Sequence, residues 1–445
     1  MGDAPGAGSP EGAHRCSRRL GMKVPSYLRK RMDESLWLIP SAMVLGSIML
    51  SLLTTVLDDV SEGRPFSEVV FTGGPDSARV ILQTVASAVI TFTGLVFTIT
   101  IIALQLSSQQ FSPRVLRTFL RDRHSKFALG TFVATFIYCL MVLRVLVTAG
   151  DRGVTIPSIS MMVLLVLVLA SVAMFVSYIS HMANSIRVSH IVTAVGDETR
   201  ALIERLPEPD ASVPMDRSLL NQPTSVQIAA LHQGTLTEVD NEGLVELATG
   251  EGLAFELVRS VGDFLAAGQV VLEVKGGEVD TRAVWKHLSL SRERTMSQDV
   301  HFGLRQLVDV AEKALSPSMN DPTTAVMALD QIHDVLRRLA TMPFTSGEHA
   351  DEEGVVRLVV QPLEWEPLVE LAFSEIRHFS GSSMQVIRRM LAALEDLEEA
   401  ALPERKLAPR SEAELVRSMI SESFDRARDQ QAAHQPDHQG IGSRQ

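Results

Sequence analysis

Cysteine is nearly absent. The 445 residues hold two, Cys16 in a polar N-terminal tail and Cys139 inside an apolar run, which excludes a disulfide framework and a cysteine-based metal site. Aromatic residues are few, and basic charge is in deficit, with a formal net charge of −12. That balance excludes nucleic acid as a partner, because binding phosphates needs clustered Lys and Arg. No Gly-rich phosphate loop, HExxH, nucleophile elbow or CxxC occurs, so the sequence predicts neither an enzyme nor a cofactor. The acidic residues Asp299, Asp309, Glu312 and Asp321 read as solvated helix faces. His181 and His190 lie nine apart and lack metal-ligand spacing.

Charge is also absent or nearly so from four long runs, Leu36–Leu57, Val80–Leu106, Phe127–Ala149 and Pro157–Ile179. Each is long enough to cross a hydrocarbon core that needs about 20 apolar residues. The apolar run nearest the N-terminus is too long for a signal-peptide core and reads as a retained span. Val80–Leu106 has no Asp, Glu, Lys, Arg or His. At about 1.5 Å per residue it would be roughly 40 Å long, so it should tilt or protrude.

Polar residues on this second run fall in a pattern. Thr84, Thr91, Thr98 and Gln105 recur every seven residues, and Ser87, Gly94 and Ser108 recur beside them. At about 100° per residue these positions share one face. Small and hydroxylated residues let membrane helices approach closely, so the stripe suits helix packing. Several copies around an axis would instead present rings of Thr and Gln to water.

After this run, Ser112 and Pro113 read as an N-cap and first helical residue. Arg114, Arg117 and Arg121 then share one face of a short helix whose opposite face is apolar. Such a helix lies on headgroups or forms a basic collar at a pore mouth. Arg144 sits inside the third run, where an intramembrane charge is a functional candidate by default. It could also snorkel outward or pair with Asp58 or Asp59.

Lys and Arg are concentrated before the first run and between the second and third, and are sparse in the other two loops. The positive-inside rule therefore places both termini in the cytosol. The fourth helix keeps helical character past His181 with no strong breaker before Pro207, which predicts a continuous helix into the cytosol.

The runs LQLSSQQFSPRVLRTFLRDR, LGTFVATFIYCLMVLR and ALSPSMNDPTTAVMALD resemble the bacterial membrane-protein family catalogued as domain of unknown function 2254, over roughly residues 30–400. The resemblance implies this architecture and a bacterial cell membrane. It assigns no catalytic or binding residue.

Four prolines between 207 and 223 mark a linker. SVQIAAL, GTLTEVD, GLVELA, LAFELVRS and QVVLEVK then read as strands of a small β-barrel or sandwich. Helices return from His301. In LSPSMNDPTT, Asn320 or Asp321 caps the second of two helices and Pro322 occupies its first turn. Ser316, Ser318, Asn320, Asp321, Thr323 and Thr324 could alternatively form a pocket for a small anion at a helix N-terminus.

The predicted fold is therefore a membrane α-helical bundle of four transmembrane helices followed by a cytosolic α+β domain. Its parts are a disordered basic N-terminus (1–33), the membrane domain with its extended last helix (34–206), a Pro-rich linker (207–223), a β-barrel-like domain (224–280), a helical part (281–430) and a disordered tail (431–445). The expected partners are the lipid bilayer and further copies of the chain. The expected role is an oligomeric channel or transport protein with a cytosolic regulatory domain; a membrane-anchored sensor or scaffold is the alternative.

Overall fold

Runs without charge become long helices because, in lipid, every backbone N–H and C=O must be satisfied within the segment. The computed structural model, which describes residues 37–60, 74–110, 123–149, 158–185, 187–207, 215–381 and 383–442, places four such helices in the N-terminal half. They are α1 (Leu38–Val60), α2 (Pro75–Gln110), α3 (Arg123–Ala149) and α4 (Ser158–Ser185), and each contains a segment long and apolar enough to cross a membrane.

The chain divides into two compact units, Met1–Thr93 with Leu120–Val172, and Gly94–Phe119 with Ala173–Gln445. In the first, α1 packs along α3 through small and polar residues. Ser47, Ser51, Thr54 and Asp58 form the buried face of α1. The hydroxyls of Ser47 and Ser51 donate to the Val44 and Ile48 carbonyls at 2.8 Å each, so their burial leaves no donor unmet. Gly130 of α3 lets α1 come close, since a Cβ there would stand 2.5 Å from Met43 Sδ. Ala78, Leu82 and Ala86 of α2, Tyr138, Cys139, Val142 and Leu146 of α3, and Met161 and Leu164 of α4 form the apolar centre.

One polar knot ties α1, α3 and α4 together. The buried Asp58 carboxylate accepts from the Ile159 and Ser160 amides at 2.8 and 3.1 Å and from Ser160 Oγ at 2.6 Å. A side chain of α1 thus caps α4, placing negative charge on the positive end of that helix. Tyr138 donates to the Ser160 carbonyl at 3.0 Å and meets Thr54 Oγ1 at 3.1 Å.

In the second unit, α4 does not run on. It stops at Ser185; Arg187 is extended (φ −68°, ψ 127°), and α5 (Val188–Ile203) starts anew. Ile191, Val192, Val195, Leu202 and Ile203 of α5 are buried in the core of the C-terminal domain.

That domain has two sheets. The strands are β1 (Thr224–Ala229), β2 (Gly234–Val239), β3 (Ala254–Leu257), β4 (Phe264–Leu265), β5 (Val270–Lys275), β6 (Leu288–Ser291), β7 (Glu348–Ala350) and β8 (Val356–Val359). One sheet runs β1-β5-β3-β8-β7 and the other β4-β2-β6. Of the two expected forms the arrangement is the sandwich, without a closed barrel. β8 pairs in parallel with β3, so a strand from the helical half completes the sheet of the β half.

GLVELA, expected as a strand, is helical: α6 (Asn241–Glu251) is capped by Asp240, which accepts from the Gly243 amide, and ends at Gly252 with φ +68°. Leu244 and Ala248, four apart, are its buried residues. A short α7 (Thr281–Trp285) precedes β6.

The helical part comprises α8 (Val300–Leu315), α9 (Pro322–Thr341), α10 (Trp365–Ser380), α11 (Met384–Ala400), α12 (Leu407–Ser423) and α13 (Ala427–Ala433). With α5 these share one apolar core that includes Leu307, Leu329, Leu336, Phe373, Leu391 and Val416. The tail expected to be disordered is ordered through residue 442. Arg388 donates to the Gln435 and Gly442 carbonyls, and the buried Asp437 accepts from the Gln439, Gly440 and Gly442 amides.

Candidate functional site

The stripe on α2 lies opposite to the side by which that helix packs. Ala78, Leu82, Ala86, Val89, Val96 and Ala103 are buried, whereas Thr84, Ser87, Thr91, Gly94, Thr98 and Gln105 are all exposed. At about 100° per residue the two sets centre about half a turn apart. Among the described residues the stripe therefore takes no part in packing within one chain. Gly94 is open to its surroundings, with nothing within 4 Å of where a Cβ would stand.

The threonines solve their hydrogen bonding locally. Thr84, Thr91 and Thr98 donate to the carbonyls of Val80, Ser87 and Gly94 at 2.8–2.9 Å. No side chain of the stripe has a partner outside its own helix among the described residues. Thr93 and Thr100 are only half-buried; Thr100 meets Tyr178 of α4 at 2.7 Å, and Tyr178 donates to the Val96 carbonyl at 3.1 Å.

Arg144 is exposed on α3; of the two acidic residues suggested for it, Asp58 is buried and accepts from the N-terminus of α4, and Asp59 is exposed. Arg114, Arg117 and Arg121, and with them the expected interfacial helix, lie outside the described residues.

The loop between α8 and α9 is built for capping. Asp321 precedes Pro322 and accepts from the Thr324 amide at 3.2 Å and from Thr324 Oγ1 at 2.6 Å. Asn320 adopts φ +45°, the single positive value among the described non-glycine residues, and its amide donates to the Ser316 carbonyl. Ser316 Oγ donates to the Lys313 carbonyl and meets Ser318 Oγ at 3.1 Å. Thr323 is exposed. Ser316, Ser318, Asn320, Asp321, Thr323 and Thr324 are thus brought together, but a carboxylate of the chain already occupies the helix N-terminus, where an external anion would have to compete with it.

Two of the acidic residues read as solvated are buried. Asp299 caps α8, accepting from the Phe302 amide at 2.9 Å and from Arg294 at 2.5 Å. Asp309 shares Arg305 with Glu312 and Glu375, the contacts running from 2.5 to 3.2 Å. One guanidinium thus serves three carboxylates. Burial, then the hydrogen bond shared with Glu375, push Glu312 up to about 7. The helical spacing of Arg305, Asp309 and Glu312 carries the signal for this cluster; Glu375 comes from α10 and has no such signal. A cleft beside α6, lined by Asn241, Glu242, Glu246 and His349 among others, also joins residues from separate parts of the sequence that no motif connects.

Four helices fit to span a membrane, followed by a domain of mixed sheets and helices, define a multi-pass membrane protein with a C-terminal α+β domain. The chain belongs to the family described as predicted membrane protein, domain of unknown function 2254, whose model matches residues 33–396. It is similar to uncharacterised proteins of Mycobacterium bovis and Mycobacterium tuberculosis, each 30% identical over 404 residues, covering 86% of this chain and 76% of the relative. No solved structure matches it.

Proposed function

We propose that the protein is an oligomeric channel or transport protein of the bacterial inner membrane, with both termini in the cytosol and α2 lining or bordering the path. The observation that carries this reading is the exposure of the whole Thr84–Gln105 stripe on the side of α2 turned away from the chain's own packing. Copies assembled around an axis would cover that side and present threonine oxygens and the Gln105 amide to water. The C-terminal domain, which acts on the cytosolic side in this reading, regulates passage.

Thr91→Leu and Thr98→Leu test it. In planar bilayers holding the full chain, discrete current steps are expected from the parent and their loss or reduction from both variants, with assembly unchanged on gel filtration. Unaltered currents in both variants overturn a path along α2.

A second reading, a membrane-anchored sensor or scaffold without transport, is favoured by the local bonding of Thr84, Thr91 and Thr98, which lets the stripe face lipid or another helix with no donor unmet. Cysteines at 84, 91 and 98, in a background with Cys16 and Cys139 replaced by serine, separate the two. A water-soluble thiol reagent modifies a wetted face and spares a dry one.

A further inference from the structure

We infer that the cleft between α6 and the 344–353 segment binds an aliphatic organic cation with more than one ammonium group. The cleft has a volume of about 1180 Å³ and lies wholly within the C-terminal domain. Among the described residues no Lys or Arg lines it. Of its carboxylates, Glu348 is matched by Arg217 and the half-buried Asp351 by Arg357, each at 2.7 Å. Glu242, Glu246, Glu352 and Glu353 are exposed and have no ion-pair partner among the described residues. They come from two separate stretches of chain, α6 and the loop after β7, that converge on one opening.

The remaining lining narrows the ligand. Met215, Val245 and Phe344 supply carbon surface. Asn241 Nδ2 lies 3.3 Å from His349 Nε2, and Asn241 Oδ1 is enclosed with no hydrogen-bond partner among the described residues. Burial holds the His349 imidazole below its usual range, so it adds no positive charge at neutral pH. The two guanidinium groups that reach the lining, Arg217 and Arg357, are already held by Glu348 and Asp351, and Asp240 already caps the start of α6. Among the described residues no three His, Cys, Asp or Glu side chains converge to coordinate a metal ion directly. Carboxylates spread around an opening over apolar surface suit separated ammonium groups joined by methylenes, which lie along the carbon surface while the charges reach the rim. This inference is independent of whether α2 conducts.

The test is calorimetric titration of the detergent-solubilised full chain with spermidine, with magnesium chloride at matched ionic strength as the comparator. One spermidine per chain is expected, bound more tightly than magnesium. Two of four rim carboxylates contribute on the order of 1–2 kcal/mol together, so Glu242→Gln with Glu246→Gln should weaken binding about tenfold. Glu352→Gln with Glu353→Gln, on an exposed loop, should do the same without disturbing α6. Val245→Trp, which fills the apolar surface, should abolish binding at an unchanged unfolding temperature. Spermidine binding no tighter than magnesium, or retained in full by both charge variants, overturns the site.

Discussion

The first unit and the C-terminal domain differ in how much polar side chain they bury beside their apolar residues. In the first, Ser47, Ser51, Thr54, Thr135, Ser160 and Ser171 are inside, and Leu165, Val166 and Leu169 are outside. In the second, the core of α5 and α8–α12 is almost wholly Leu, Val, Ile and Ala. The difference follows from the solvent. Against water, burying carbon supplies roughly 25 cal/mol per Å². Against lipid that gain vanishes, and close contact with interhelical hydrogen bonds must hold helices together. Thr135 to Ser171 at 3.1 Å and the Asp58 knot are bonds of that kind.

The contrast can be broken most severely in the aqueous core. Leu336→Ala should cost about 2–5 kcal/mol of domain stability, read as a lower unfolding midpoint in urea. Asp58→Ala should cost about 2–3 kcal/mol by removing charged hydrogen bonds from the α4 N-terminus, read by detergent-induced unfolding. Gly130→Ala should cost about 1 kcal/mol, since Met43 must shift, whereas Gly94→Ala should leave a single chain unaffected. A loss of oligomer from Gly94→Ala, with folding intact, would show that another copy covers the stripe. Leu169→Ala, on the exposed face of α4, should change stability by less than about 0.5 kcal/mol.

Glu312 sharpens the comparison through pH. Its folded-state value of about 7 lies above the ordinary carboxyl range, so between the two the folded chain holds a proton that the unfolded chain has released. Stability should therefore fall as pH rises through that window and level off above about 7. Glu312→Gln should flatten the slope, checked by unfolding midpoints across the same range.

Much of this was legible one element at a time. Asp321 with Pro322 marks the start of α9 because capping needs only neighbours. The same chemistry at Asp240 and Gly252 encloses α6, where a run of alternating apolar and polar residues also fits a strand; the caps decide it. The tail was not legible, because polar Gln, His and Gly carry no periodicity. Its order comes from Arg388 and Asp437 meeting across 49 residues, with the Asp437 amide donating to the Arg388 carbonyl.

Sequence alone determined the four membrane-crossing runs and the seven-residue stripe, since uncharged length and a helical period are local properties. Tertiary structure decided which side of α2 is packed, that β8 pairs in parallel with β3, that α4 breaks before α5, and that six carboxylates from separate stretches line one cleft. Each of those depends on surface buried against residues distant in the chain, and no local pattern encodes where such partners lie.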